Sequence, residues 1–108
     1  MTTKAYMIIT AKLSNREQFL NTYSKVVPGL VDKFGGRYLL LSPGATTLEG
    51  DWGDGVSMAV SEWPDKGAAL AFWNSPEYEE AKKLRAGLGE FQVMLIEADD
   101  LAKHFAPA

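Results

Sequence analysis

Tyr78 and Arg85 form a pair of side chains whose spacing could serve chemistry. Seven residues apart on a helix, they would lie on one face two turns apart and could both face one cleft. There the phenol would transfer a proton and the guanidinium would bind a carboxylate-bearing ligand. Alternatively, Tyr78 packs in the core and Arg85 stabilises the helix C-terminus against its dipole. The spacing leaves both interpretations open.

Glu62 is the second candidate for proton transfer. It would share one face of a strand with three apolar residues, where an unpaired carboxylate has a raised pKa and suits a general base. Alternatively, it lies at the end of the strand and forms an ion pair with Arg37 or Arg85. Because structural ion pairs also shift the pKa of titratable groups, a shifted pKa would not by itself indicate catalysis, and the ion pair is the simpler interpretation.

Four further residues are candidates for ligand binding. Arg37 and Tyr38 begin a predicted strand, where Arg37 could hold a carboxylate through two hydrogen bonds. The alternative is that Arg37 pairs with a nearby acid and Tyr38 packs in the core. Trp52 and Trp73 could line an aromatic pocket together with Trp63, although aromatic clusters are far more often core or interface.

Composition and motifs exclude several classes of protein. The 11 basic and 14 acidic residues give a net charge of −3 and a pI near 5.1, whereas nucleic-acid binders usually present a basic face. The chain has no cysteine and one histidine, His104, so neither a metal site nor a nucleophilic triad is expected. No glycine-rich loop has the spacing of a phosphate- or dinucleotide-binding motif. We therefore expect no metal, no cofactor and no nucleic-acid partner.

The same features predict a cytoplasmic protein. The N-terminal residues lack the charged and apolar regions of a signal peptide. No apolar stretch approaches the roughly 20 residues that a membrane span requires. A chain without cysteine is compatible with a reducing compartment, so we expect a cytoplasmic location and no membrane partner.

Apolar periodicity predicts one α+β domain of the ferredoxin-like type over residues 1–98, followed by a tail at 99–108. The order β-α-β-β-α-β gives a four-stranded antiparallel sheet with helices on one face. A capping box at Ser14 and Glu17 should begin the first helix. Pro28 should kink this helix or start a second short turn, and Gly35 with Gly36 should end it. The predicted strands cover residues 5–11, 37–41, 56–63 and 91–98, with a short extended piece at 46–48, and the second helix is split into 66–73 and a segment that begins at 75.

Apolar residues on both faces of the sheet predict a homodimer. Helices cover one face only, and the other face of a monomer should be polar. The last strand, however, carries Met94 and Ile96 on one face and Val93 and Leu95 on the other. Because apolar patches of this size are rarely left exposed, a second sheet should cover the face and bury at least about 1,200 Å² in total. The alternative is a monomer with a partly apolar exposed face.

Several short motifs in one order resemble a known family. They are GGRY at 35–38, LEGDW at 48–52, EWP at 62–64, NSPEY at 74–78 and LR at 84–85. Together they resemble the domain-of-unknown-function 1330 family over roughly residues 5–97. The resemblance implies the dimeric α/β-barrel fold. The family has no established general reaction, so it implies no catalytic residues.

These observations predict a dimer that binds a small molecule in a cleft between its sheet and helices. The ligand would be partly apolar and would bear oxygen or a carboxylate. Chemistry at such a site would be a cofactor-free isomerisation, dehydration or oxygenation, by analogy with other proteins of this fold. The alternative is a non-catalytic ligand-binding or protein-interaction module, and the sequence does not decide between them.

Overall fold

The structure, a computed structural model, describes residues 3–53 and 55–99. Within these residues the elements are β1 (Ala5–Leu13), α1 (Arg16–Asn21), α2 (Tyr23–Lys33), β2 (Arg37–Ser42), β3 (Ser57–Trp63), α3 (Lys66–Trp73), α4 (Pro76–Lys82), a 3₁₀ turn (Lys83–Arg85) and β4 (Gly89–Glu97). The strands form one sheet in the order β2-β3-β1-β4, and all neighbouring strands are antiparallel. The predicted ferredoxin-like fold is therefore confirmed. Apart from residue 99, the predicted tail lies outside the described residues, as does His104.

The first helix begins and breaks at positions that differ from the prediction. Asn15, not Ser14, caps α1, because its side-chain oxygen accepts the Gln18 amide at 3.1 Å. The helix breaks at Thr22, whose hydroxyl donates to the Gln18 carbonyl at 2.7 Å. A threonine bonded in this way competes with the backbone ladder and favours a bend. The predicted capping box is thus wrong. Pro28 lies inside α2, and the interruption of the helix is at Thr22.

The other predicted helix boundaries are confirmed. Gly35 ends α2 with a φ of +90°, and the Gly36 amide donates to the Val31 carbonyl at 2.9 Å, which is the glycine cap expected there. Ser75 caps α4 and Pro76 occupies its first turn. Within residues 3–53 and 55–99, no helix has both the length and the apolarity needed to cross a membrane.

The connection between β2 and β3 differs from the prediction at residues 46–48, which form no strand in the described chain. The connection is closed at its base instead. The Ala45 amide donates to the Val56 carbonyl at 2.8 Å, and the Gly55 amide donates to the Ala45 carbonyl at 2.9 Å. These two bonds join residue 45 to the two residues that precede β3, and the segment between them forms a loop.

The core lies between the helices and one face of the sheet. Trp63 is only 1% exposed, packs with its ring centre 5.0 Å from that of Phe72, and donates its indole hydrogen to the Ser61 hydroxyl at 3.0 Å. A Cβ atom on Gly36 would lie 2.7 Å from the Trp63 ring. Glycine is therefore required where the chain leaves α2, because the backbone passes directly against this ring.

The other face of the sheet, here called the open face, carries an apolar row that crosses all four strands. Ile8 is opposite Val60 on one side and Met94 on the other, and Leu40 is opposite Val60. Leu40 is 49% exposed and Met94 is 63% exposed. Both faces of the sheet are thus apolar, as the alternation in the sequence indicates, and residues 3–53 and 55–99 cover only one of them.

Candidate functional site

A cleft of about 280 Å³, here called the helix–sheet cleft, lies between the sheet and the first two helices. Small side chains on the floor, Ala11 of β1 and Ser57 and Ala59 of β3, leave space above the sheet. The walls are largely apolar and include Phe19, Leu20, Val27, Leu41 and Phe91. A mostly apolar cleft with a few polar groups is the usual form of a small-molecule site.

Arg85 is the charged group set into the wall of this cleft. It lies in the 3₁₀ turn after α4 and is 9% exposed. Its guanidinium carbon lies 4.4 Å from the centre of the Phe91 ring and 5.7 Å from that of Tyr23. Among the described residues, the guanidinium packs against these two rings and forms no ion pair with a carboxylate. A guanidinium has five N–H donors and keeps its charge in proteins, so this side chain retains donors for an anion in the cleft.

Two tyrosine hydroxyls are joined at the inner wall of the cleft. The Tyr23 hydroxyl, on α2, lies 2.8 Å from the Tyr78 hydroxyl, on α4. Tyr23 lines the cleft, whereas Tyr78 lies behind it and is 2% exposed. Burial raises the pKa of Tyr23 well above its ordinary value. Tyr23 is therefore a neutral hydrogen-bonding group at ordinary pH rather than an anion.

Tyr38 of β2 also lines the cleft. Burial, with a smaller contribution from Tyr78, raises the pKa of Tyr38 to about 12. Its hydroxyl is consequently neutral too. The two predicted residues that line the cleft are thus Tyr38 and Arg85, with Tyr78 in the layer behind it.

Arg16, at the start of α1, lies at one end of the cleft. It donates to the Pro43 carbonyl at 3.0 Å and to the Ser57 hydroxyl. These bonds tie α1 to the ends of β2 and β3. Sequence analysis missed Arg16 and Tyr23 as cleft residues. Apolar residues recur along the first helix at three- and four-residue steps, but such a pattern does not show where the packing leaves space.

Arg37 and Glu62 lie on the open face, on the opposite side of the sheet from the cleft. Arg37 Nε donates to Glu62 Oε1 at 2.9 Å, and Tyr6 donates its hydroxyl hydrogen to Glu62 Oε2 at 3.0 Å. Lys4 Nζ lies 3.6 Å from the same carboxylate. The hydrogen bonds from Arg37 and Tyr6 hold the pKa of Glu62 below its ordinary value. The ion pair anticipated between Arg37 and Glu62 is present, and the raised pKa of an unpaired carboxylate is not.

The two candidate tryptophans also lie away from the cleft walls. Trp52 is 59% exposed and lines a separate groove of about 330 Å³ at one end of the open face, with Lys12 and Gln92 among its neighbours. The Trp73 ring centre lies 5.2 Å from that of Tyr78, and Lys82 Nζ lies 4.8 Å from the Trp73 ring centre. The structure therefore distributes the seven predicted residues over two faces of the sheet.

The profile of a domain of unknown function, DUF1330, matches residues 4–99 of the chain. The chain belongs to this family. The match includes every strand and helix of the fold described above, so the resemblance found in the motifs holds across the whole domain. No curated protein matches the sequence.

Solved structures share the fold of this DUF1330 protein at low sequence identity. RPA0582, a protein of unknown function from Rhodopseudomonas palustris, is 15% identical and superposes with a TM-score of 0.73, covering 93% of this chain and 85% of its own. SnoaB, a cofactor-independent oxygenase from Streptomyces nogalater, is 12% identical with a TM-score of 0.65, covering 92% and 96%. A Caulobacter crescentus protein provisionally assigned as an antibiotic biosynthesis monooxygenase is 14% identical with a TM-score of 0.57, covering 92% of each chain. At these identities the likeness shows the fold.

Proposed function

We propose that this protein is a cytoplasmic homodimer that binds a small, partly apolar anion, such as an aromatic carboxylate, in the helix–sheet cleft. The observation that supports the proposal most directly is the position of Arg85. The residue is 9% exposed, and within the described part of the chain its guanidinium packs against two aromatic rings and forms no ion pair with a carboxylate.

Burial of a charge is costly unless the charge is paired and hydrogen-bonded. Contacts with two aromatic faces offset part of that cost, by about 0.5–2 kcal/mol each. The N–H donors remain, and an anionic ligand would satisfy them. Among the described residues that line the cleft, the charged side chains are Arg16 and Arg85 and none is acidic. The electrostatic field within the cleft therefore favours a negatively charged ligand.

A pair of matched probes tests this proposal. We expect 1-naphthoate to bind at least about tenfold more tightly than neutral 1-naphthamide by calorimetry, because a charged hydrogen bond contributes about 1.5–3 kcal/mol. Arg85→Met should remove this preference. Lys83→Met is the control, because it removes a cation from the same turn whose side chain is 71% exposed. Equal binding of both probes to the unmodified protein, or an unchanged preference in Arg85→Met, would exclude the proposal.

Cofactor-free isomerisation, dehydration or oxygenation is the chemistry that we propose for the bound ligand. SnoaB, which has the same fold, is named as a cofactor-independent oxygenase. Tyr78 lies behind the cleft, so its candidate role in proton transfer would be exerted through the hydroxyl of Tyr23, 2.8 Å from its own. Glu62 is not assigned this role, because its carboxylate is bonded to Arg37 and Tyr6 on the open face.

The alternative is a non-catalytic ligand-binding or interaction module, which is favoured by the position of Glu62, a proton-transfer candidate bonded to Arg37 and Tyr6 outside the cleft. Mass spectrometry separates the two functions. A binding module returns its ligand unchanged after incubation in air, whereas an enzyme converts it. In the enzyme, Tyr78→Phe should leave binding of 1-naphthoate intact and reduce turnover of a reactive ligand by about 10²-fold or more.

The homodimer is proposed from the open face. Apolar residues of all four strands align there. Two of them are strongly exposed in the single chain, Leu40 at 49% and Met94 at 63%. A second copy of the same sheet would cover this row through a two-fold interface in which both copies use the same surface. The charged cluster of Arg37 and Glu62 would then lie at the edge of the interface.

A further inference from the structure

We propose that the helix–sheet cleft selects the deprotonated form of a weakly acidic phenol or enol and thereby promotes its ionisation. This inference rests on the proposed function, because it concerns the same cleft and specifies the class of ligand. In the step itself, the ligand O–H bond breaks, the electron pair stays on the oxygen, and the proton passes to water.

Two residues that line the cleft, Arg85 and Tyr23, carry hydrogen-bond donors that a negatively charged oxygen would accept from. Arg85 presents a guanidinium in the wall, next to the Tyr23 ring. In the pair of hydroxyls formed by Tyr23 and Tyr78, one hydroxyl donates to the other, which leaves one hydrogen without an acceptor within the pair. When Tyr78 is the donor, the hydrogen of Tyr23 is available to a ligand in the cleft.

The charged and titratable groups that line the cleft come from four elements. α1 provides Arg16, α2 provides Tyr23, β2 provides Tyr38 and the 3₁₀ turn provides Arg85. The lining residues of β1, β3 and β4 are uncharged. Burial raises the pKa of both Tyr23 and Tyr38, so these phenols remain neutral donors. The two arginines therefore set the sign of the charge that a ligand meets.

Two opposing effects decide the pKa of a bound phenol. Transfer into an apolar cleft disfavours the anion and raises the pKa, whereas an opposite charge within a few ångströms lowers it by roughly 1–3 units. Arg85 is 9% exposed and its guanidinium packs against two rings, so a ligand anion in the cleft removes less water from it than from a fully exposed arginine. We therefore expect the guanidinium to prevail. Without it, the remaining cation is Arg16, whose guanidinium is already bonded to the Pro43 carbonyl and the Ser57 hydroxyl at one end of the cleft. The effect of the apolar walls should then prevail, and the shift should change sign.

The experiment uses 7-hydroxycoumarin, a bicyclic phenol whose anion absorbs at longer wavelength than the neutral form. Its absorbance is titrated against pH with an excess of protein, over the range in which circular dichroism shows an intact fold. We expect the pKa of the bound phenol to lie at least about one unit below that of the free phenol, a tenfold preference for the anion. In Arg85→Met it should lie at or above the free value.

Two controls keep the result interpretable. Lys83→Met should behave as the unmodified protein, because its side chain is exposed and pairs with Glu80 at 2.8 Å. Arg85→Lys retains the positive charge, so the pKa of the phenol bound to this variant should still be lowered. This variant tests the inference if Arg85→Met does not fold. A bound phenol with an unchanged or raised pKa, or failure to bind 7-hydroxycoumarin while 1-naphthoate binds, would overturn this inference alone. Failure to bind either probe would overturn the proposed function as well.

Discussion

The guanidinium carbon of Arg85 lies 4.4 Å from the centre of the Phe91 ring. The ring belongs to β4 and the arginine to the turn that leads into it, so the contact fixes the side chain against the wall of the cleft. A cation over an aromatic face is stabilised by about 0.5–2 kcal/mol, more when the pair is removed from water. The position of Arg85 thus depends on an aromatic side chain and not on a carboxylate.

A double-mutant cycle should detect this contact. Arg85→Met and Phe91→Leu are each expected to lower the free energy of unfolding, and the loss in the double variant should be smaller than the sum by about 1 kcal/mol. The measurement is denaturant unfolding of all four proteins. Lys83→Met combined with Phe91→Leu provides the additive control, because Lys83 is directed towards Glu80. Additive losses for Arg85 and Phe91 would show that the contact contributes no net stability.

Two glycine substitutions should change stability in opposite directions. Gly36→Ala would place a Cβ atom 2.7 Å from the buried Trp63 ring, and overpacking of this kind costs about 1–3 kcal/mol. Gly29→Ala meets no atom within 4 Å and lies inside α2, where alanine is favoured over glycine by about 0.5–1 kcal/mol. Thermal unfolding of both variants measures the two effects. A neutral Gly36→Ala would mean that the chain can move away from the ring.

The proposed dimer should dissociate when a charge is placed in the apolar row of the open face. We expect Met94→Lys to be monomeric at a micromolar concentration at which the unmodified 11.8 kDa chain is dimeric, because a buried unpaired ammonium is costly. Val26→Lys is the matched control, since Val26 is 43% exposed on α2, in the helical layer. Native mass spectrometry reports the state of each protein. An unmodified chain that is monomeric throughout would exclude the homodimer.

Most of the fold follows from local patterns in the sequence. Glycine at 35 has a conformation that only a glycine adopts readily, and Ser75 with Pro76 begins α4 by a capping geometry that depends on neighbours in sequence. The break at Thr22 was not predicted, because a threonine in a helix bends it only when its hydroxyl bonds back to the chain. Helix boundaries that depend on how a side chain bonds are therefore harder to predict from the sequence than boundaries that depend on backbone conformation.

The candidate site was only partly predictable, for a related reason. Alternation places Glu62 and Arg37 on one face of the sheet, and an ion pair between them was foreseen. The same alternation assigns them to the face that the helices do not cover, so they and the cleft residue Arg85 lie on opposite sides of the sheet. The cleft itself depends on small side chains such as Ala11 and Ala59 meeting larger ones from α1 and α2. The cleft therefore depends on tertiary packing, which no local sequence pattern specifies.

Alkaline pH should destabilise the protein in part through Tyr38. Burial raises the pKa of Tyr38 from 10.0 to about 12 in the folded protein, while the unfolded chain ionises near the ordinary value. The folded state therefore holds this proton more tightly. The contribution to stability is fully present below pH 10.0 and is lost as the pH rises to about 12, by about 2 kcal/mol for a shift of this size in a partly exposed group.

Tyr38→Phe isolates this effect, because phenylalanine keeps the ring and removes the ionisable hydroxyl. Denaturant unfolding of both proteins across this pH range should show a steeper loss in the unmodified chain than in Tyr38→Phe, with the two curves parallel at neutral pH. Deprotonation of lysines also lowers stability in this range, but it acts on both proteins alike and cancels in the difference. Curves that stay parallel throughout would mean that Tyr38 ionises as readily in the folded chain as in the unfolded one, and that the cleft admits enough water to solvate its phenolate.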